Sequence, residues 1–91
     1  MKLYRIYTEH KPNLVPLLDK YLDGYTYTQA FGRWKGCNEF TAIVDIALPN
    51  EDYRSRLNEL ISAIIVECEQ KSVMLVLPSG VVAFLERGQT L

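Results

Sequence analysis

Period-two alternation and three-to-four spacing of apolar residues divide the chain into seven elements. Leu3 to Thr8, LYRIYT, is rich in Tyr, Ile and Thr and reads as a strand. Leu3, Arg5 and Tyr7 take one side and Tyr4, Ile6 and Thr8 the other. Neither side is purely polar, which predicts a central strand covered on both faces. Leu14, Leu17, Leu18, Tyr21 and Leu22 then form one helical stripe. Asn13 is placed to cap that helix, Pro16 sits in its first turn and Gly24 stops it, giving a helix from Asn13 to Asp23.

Tyr25 to Trp34 is the next strand, with Tyr25, Tyr27, Gln29, Phe31 and Arg33 on one face and Thr26, Thr28, Ala30, Gly32 and Trp34 on the other. Lys35 to Asn38 makes a turn. Glu39 to Leu48 follows, its apolar face Phe40, Ala42, Val44, Ile46 and Leu48 opposite Thr41, Ile43, Asp45 and Ala47. Asn50 reads as the cap of a second helix, with Glu51 and Asp52 in its first turn, running to about Gln70 through Tyr53, Leu57, Leu60, Ile61, Ile64, Ile65 and Cys68. Ser72 to Leu77 reads as a buried strand, Pro78 to Gly80 as a turn and Val81 to Glu86 as a last strand. The residues from Arg87 to Leu91 are expected to fray.

The order is β-α-β-β-α-β with one extra terminal strand. Right-handed crossovers place both helices on one face of an antiparallel sheet, the α+β ferredoxin-like sandwich, as a single domain over residues 1–91. The other face is then bare and carries large apolar side chains, too apolar for a lone chain. Oligomerisation through that face or the terminal strand is expected, as a dimer or trimer.

Composition narrows the function. The chain is 48% hydrophobic and 23% charged, an ordinary globular balance. A formal charge of -1 argues against non-specific nucleic-acid binding, which needs a basic surface. The two cysteines, Cys37 and Cys68, are too few for a disulfide scaffold and lack metal-ligand spacing, as does the lone His10. They read as free thiols in a reducing compartment. The first residues hold no signal-peptide pattern, and no apolar run is long enough to cross a membrane. A cytoplasmic location, no membrane partner and no cofactor are expected.

The layout resembles the nitrogen-regulatory PII-like superfamily, which includes the CutA-like proteins. Gly32 and Trp34 near the hairpin end, Glu39 opening the next strand, and Gln70, Ser72 and Val73 approaching the last strands are similar to a small PII-like domain family of unknown function. That resemblance implies a trimer with ligand sites in subunit clefts near the hairpin, and no activity. The long loop and phosphate motif of PII proteins proper have no counterpart in the short turn here.

Trp34, Arg33, Lys35 and Glu39 form the strongest site candidate: a stacking plane, two cations for phosphate and a carboxylate for a base or ribose. The plainer reading is cross-strand packing with an exposed Arg33–Glu39 pair. Tyr7 and Tyr27, with Tyr4 and Tyr25, line either a pocket or an interface. His10 follows the first strand and serves either acid–base chemistry or a solvated loop. No nucleophile motif is present. The expectation is an oligomeric, non-enzymatic module that binds a small anionic ligand, a nucleotide or cyclic nucleotide, between subunits, as a sensor or a sequestering protein. Two other readings stand beside it. One is a protein-interaction module, such as a phage-encoded inhibitor of a host factor. The other is a small cofactor-free ferredoxin-like enzyme.

Overall fold

The computed structural model describes residues 1–49 and 54–91. Its elements are β1 (Lys2–Glu9), α1 (Leu14–Tyr21), β2 (Thr26–Trp34), β3 (Cys37–Leu48), α2 (Arg54–Glu67), β4 (Ser72–Val76) and β5 (Val82–Glu86). The five strands form one antiparallel sheet in the order β2-β3-β1-β4-β5. This is the ferredoxin-like arrangement with β5 added beside β4.

The pleat decides which residues make the core. Ile6 pairs with Val44 on one side and Leu75 on the other, so all three point to the same face. All three are fully buried, in one cluster with Leu14, Leu17 and Leu18 of α1 and Leu57, Leu60, Ile61, Ile64 and Ile65 of α2. Both helices therefore cover that face. Leu3, Arg5 and Tyr7 point the other way, and Leu3 is exposed. The central strand is thus covered on one face, where the sequence predicted two: among the described residues there is no further layer to shield Leu3 or Tyr7. In β4 likewise, Val73 and Leu75 are buried while Ser72, Met74 and Val76 stay partly exposed.

Four local expectations change. First, α1 ends at Tyr21 rather than Asp23, because Leu22 turns extended (φ -126, ψ 135) and goes into the core. Gly24 does not take the left-handed conformation of a helix stop. Second, Asn13 makes no cap bond to α1; its Nδ2 donates to the Glu67 carbonyl at 2.9 Å, the end of α2. Third, the hairpin turn is tighter than Lys35 to Asn38. Trp34 pairs directly with Cys37, leaving only Lys35 (φ 50) and Gly36 (φ 79) between strands. Two positive φ values are what a two-residue hairpin loop needs to match strand twist. Fourth, the tail does not fray: Leu91 N–H donates to Asn58 Oδ1 at 2.9 Å, and Leu91 packs on the core. The predicted cap at Asn50 and first turn at Glu51, Asp52 and Tyr53 lie outside the described residues.

The end of α2 also departs from habit. Gln70 N–H donates to the Ile65 carbonyl at 3.0 Å and Cys68 N–H to Ile64 at 3.0 Å, while Glu69 adopts φ 53. That is a Schellman closure with glutamate where glycine is usual.

Candidate functional site

The β2–β3 hairpin runs past the two-helix layer, and its far end is a set of exposed aromatics. Phe31 and Phe40 pair across the strands on the helix side, 66% and 76% exposed. Trp34 lies on the opposite face, 64% exposed, with the Lys35 Nζ 5.8 Å from its ring centroid. At that separation the ammonium and the indole face attract. Gly32 lies close to the Thr41 side chain of β3 here. A Cβ on it would sit 2.8 Å from Thr41 Oγ1, so only glycine leaves room for the threonine.

The seven residues singled out from sequence fall into separate groups. Trp34, Lys35 and Glu39 share the open side of the hairpin end, since Glu39 pairs with Gly32. Arg33 points to the helix side. Its Nη1 donates to Asn38 Oδ1 at 2.7 Å and its Nη2 to the Gly36 carbonyl at 2.9 Å, bracing the turn. Arg33 and Glu39 are on opposite faces and do not pair. Tyr27 and His10 meet elsewhere, on the helix side. The His10 N–H donates to the Phe40 carbonyl, and its Nδ1 contacts the Tyr27 hydroxyl with the rings edge to face at 5.9 Å. Tyr7 lies on the open face of the sheet, its Cα opposite Ile43 and Met74.

Around the His10–Tyr27 contact the structure gathers groups that the sequence did not single out. Cys68 is buried there, and Gln70 ties the two segments by accepting from Glu9 N–H and donating to the Cys68 carbonyl. Thr8 is buried with its Oγ1 unpartnered. Burial pushes the Tyr27 hydroxyl upward, with a smaller push from Cys68. Burial likewise raises the Cys68 thiol, helped by Glu67 and opposed by Lys11. Both shifts favour the neutral forms, so neither group is an activated base or nucleophile at neutral pH.

The open face carries an ion pair between β1 and β3. Arg5 Nε donates to Asp45 Oδ1 at 2.6 Å and Nη2 to Oδ2 at 3.1 Å, a two-pronged contact that holds the guanidinium charged. Ile43, Met74, Val76, Val82 and Phe84 surround it on that side of the sheet, Phe84 at 65% exposure. The signal for the pair was available: Arg5 stands between Leu3 and Tyr7, and Asp45 between Ile43 and Ala47, in the outward positions of their strands.

Among the described residues no group of His, Cys, Asp and Glu is placed to hold a metal ion, and no helix is long and apolar enough to cross a membrane. The surface of the described residues includes two open depressions. One, about 350 Å³, lies between Lys2, Tyr4, Arg54 and the Leu77–Ser79 turn; the other, about 630 Å³, runs along Tyr21, Asn58, Ser62 and Val66. Neither includes the hairpin residues.

Fold and surface together define a ferredoxin-like domain with one unshielded sheet face and an aromatic, cation-bearing hairpin. No protein-family model, curated protein or solved structure matches the chain.

Proposed function

We propose that this chain is a cytoplasmic, non-enzymatic, homo-oligomeric module of the PII-like kind that binds a small anionic ligand, a nucleotide or cyclic nucleotide, in a cleft between subunits. The observation that carries the reading is Trp34, 64% exposed with the Lys35 ammonium over its ring. It is a stacking plane with a positive charge already in place, on a hairpin clear of the core. A base stacks on the indole and a phosphate meets Lys35. The neighbouring subunit closes the cleft, since neither of the two open depressions reaches the hairpin residues. Such a module senses a ligand or sequesters it. The raised Tyr27 and Cys68 groups weigh against the enzyme reading.

Titration calorimetry against a panel of nucleotides and cyclic nucleotides tests it. Saturable heat with one member, lost in Trp34→Ala, is the expected result. Silence from the whole panel overturns it.

A protein-interaction role is the second reading, favoured by the apolar open face with Phe84 at its edge. Capture of a partner that Phe84→Lys abolishes and Trp34→Ala leaves intact selects it over ligand binding.

A further inference from the structure

The outer edge of the sheet at β2 is unprotected. Its nine residues pair with β3 without a break from Thr26–Asp45 to Trp34–Cys37. There is no bulge, no proline and a single charged residue, Arg33. Six of the nine, Thr26, Thr28, Gln29, Phe31, Arg33 and Trp34, are exposed. Sheets normally blunt such an edge with lysines, prolines, bulges or short strands. The opposite edge is blunted in that way, since β5 has only five residues.

The ladder shows which amides face outward. A two-residue loop makes Trp34–Cys37 a doubly bonded pair, and bonded pairs then alternate. The His10 N–H to Phe40 carbonyl bond, 2.9 Å, confirms the phase: Phe40 spends its carbonyl on the β1 side, away from β2. Tyr27, Gln29, Phe31 and Arg33 therefore direct their N–H and C=O groups out of the sheet, unpaired among the described residues.

These four positions are symmetric about Ala30. A second β2 laid antiparallel on the first, with Ala30 facing Ala30, sets Tyr27 opposite Arg33, Gln29 opposite Phe31 and Thr28 opposite Gly32. Every outward amide then meets another, giving about eight hydrogen bonds. The only charge on the strand meets a tyrosine, so no like charges oppose. Within one chain Arg33 lies six residues along the strand from Tyr27, about 20 Å away. Across the two-fold axis it lies beside it. Its guanidinium stays on its own turn, where Nη1 donates to Asn38 and Nη2 to the Gly36 carbonyl.

We propose that the chain dimerises by antiparallel pairing of β2 with β2 of a second copy about Ala30. Arg33 of each copy thereby stands opposite Tyr27 of the other across the seam. This rests on the homo-oligomeric reading above and names its interface.

Disulfide trapping and an edge-strand proline test the proposal. Ala30→Cys in a Cys37→Ser background places two thiols across the axis in a non-hydrogen-bonded pair, whose Cα separation of about 4.5 Å lies within disulfide range. Mild oxidation is expected to give a covalent dimer, and Thr28→Cys in the same background none. Gln29→Pro removes an outward N–H without touching the β3 ladder. Light scattering is expected to report twice 10.5 kDa for the parent and 10.5 kDa for Gln29→Pro, with unchanged circular dichroism. A parent that is monomeric at micromolar concentration, or an Ala30→Cys variant that does not link, overturns the pairing. So does an oligomer that survives Gln29→Pro and dissociates in Phe84→Lys, a result that leaves the homo-oligomeric reading standing. A β2-paired dimer that gives no nucleotide heat leaves the pairing standing and removes the nucleotide reading.

Discussion

Asn13 and Glu67 are fifty-four positions apart, and one hydrogen bond of 2.9 Å from the Asn13 side chain to the Glu67 carbonyl joins the start of α1 to the end of α2. The last carbonyls of a helix have no partner within it, so this amide satisfies one of them from another element. Asn13→Ala is expected to lower stability by about 1 kcal/mol. Asn13→Asp separates this role from capping. An N-cap accepts aspartate as well as asparagine, whereas here aspartate loses the donor and turns a carboxylate toward a carbonyl. Urea unfolding is expected to rank Asn13→Asp at or below Asn13→Ala.

Glu69 holds φ 53 at the close of α2, a conformation that costs a side-chain-bearing residue about 1 kcal/mol relative to glycine. Glu69→Gly is expected to raise the denaturant midpoint by a corresponding amount with an unchanged slope. Glu69→Val, β-branched at the same position, is expected to lower it.

Gly32 and Thr41 are coupled by the 2.8 Å approach that a Cβ would make to Oγ1. Gly32→Ala is expected to cost about 1–3 kcal/mol, the range for overpacking. In a Thr41→Ala background the same change is expected to be near neutral, because the obstructing hydroxyl is gone. A double-mutant cycle on thermal or urea unfolding reads that coupling directly.

The Tyr25 hydroxyl is pushed up to about 12 from a usual 10.0, first by burial and then by its hydrogen bond to Asp19 at 2.7 Å. The folded chain therefore keeps this proton at a pH where the unfolded chain has released it. The contribution is complete below pH 10 and is lost as the pH rises from 10 toward 12, so stability falls across that window. Tyr25→Phe is expected to flatten this part of the stability–pH curve. Melting temperatures of the two proteins through the alkaline range check it.

Cys37 is exposed, whereas Cys68 is buried, and that burial pushes its thiol upward. A maleimide at neutral pH is expected to label Cys37 in the native protein and Cys68 only after denaturant is added. Mass spectrometry of the labelled peptides distinguishes them.

The sequence by itself determined the elements and their arrangement. The period-two run at Phe40–Leu48 and the helical stripe from Leu57 to Cys68 carry the burial pattern in their own spacing. The hydrophobic effect acts on that spacing whatever the partners. The order of strands and helices followed from crossover handedness, and the bare second face followed from the count of layers. What depended on distant pairing was decided only by the tertiary structure. Asn13 has the residue type of an N-cap, but a donor was needed at the far end of α2, and that need is invisible locally. Leu22 leaves the helix because the core can take it. Leu91 is held because Asn58 and the core are within reach. The hairpin residues were legible as a group but not as geometry. Adjacent positions on a strand point to opposite faces, so Arg33 and Trp34 diverge however close they stand in the chain. Tyr27 and His10, seventeen positions apart, meet across β3, which lies between β1 and β2.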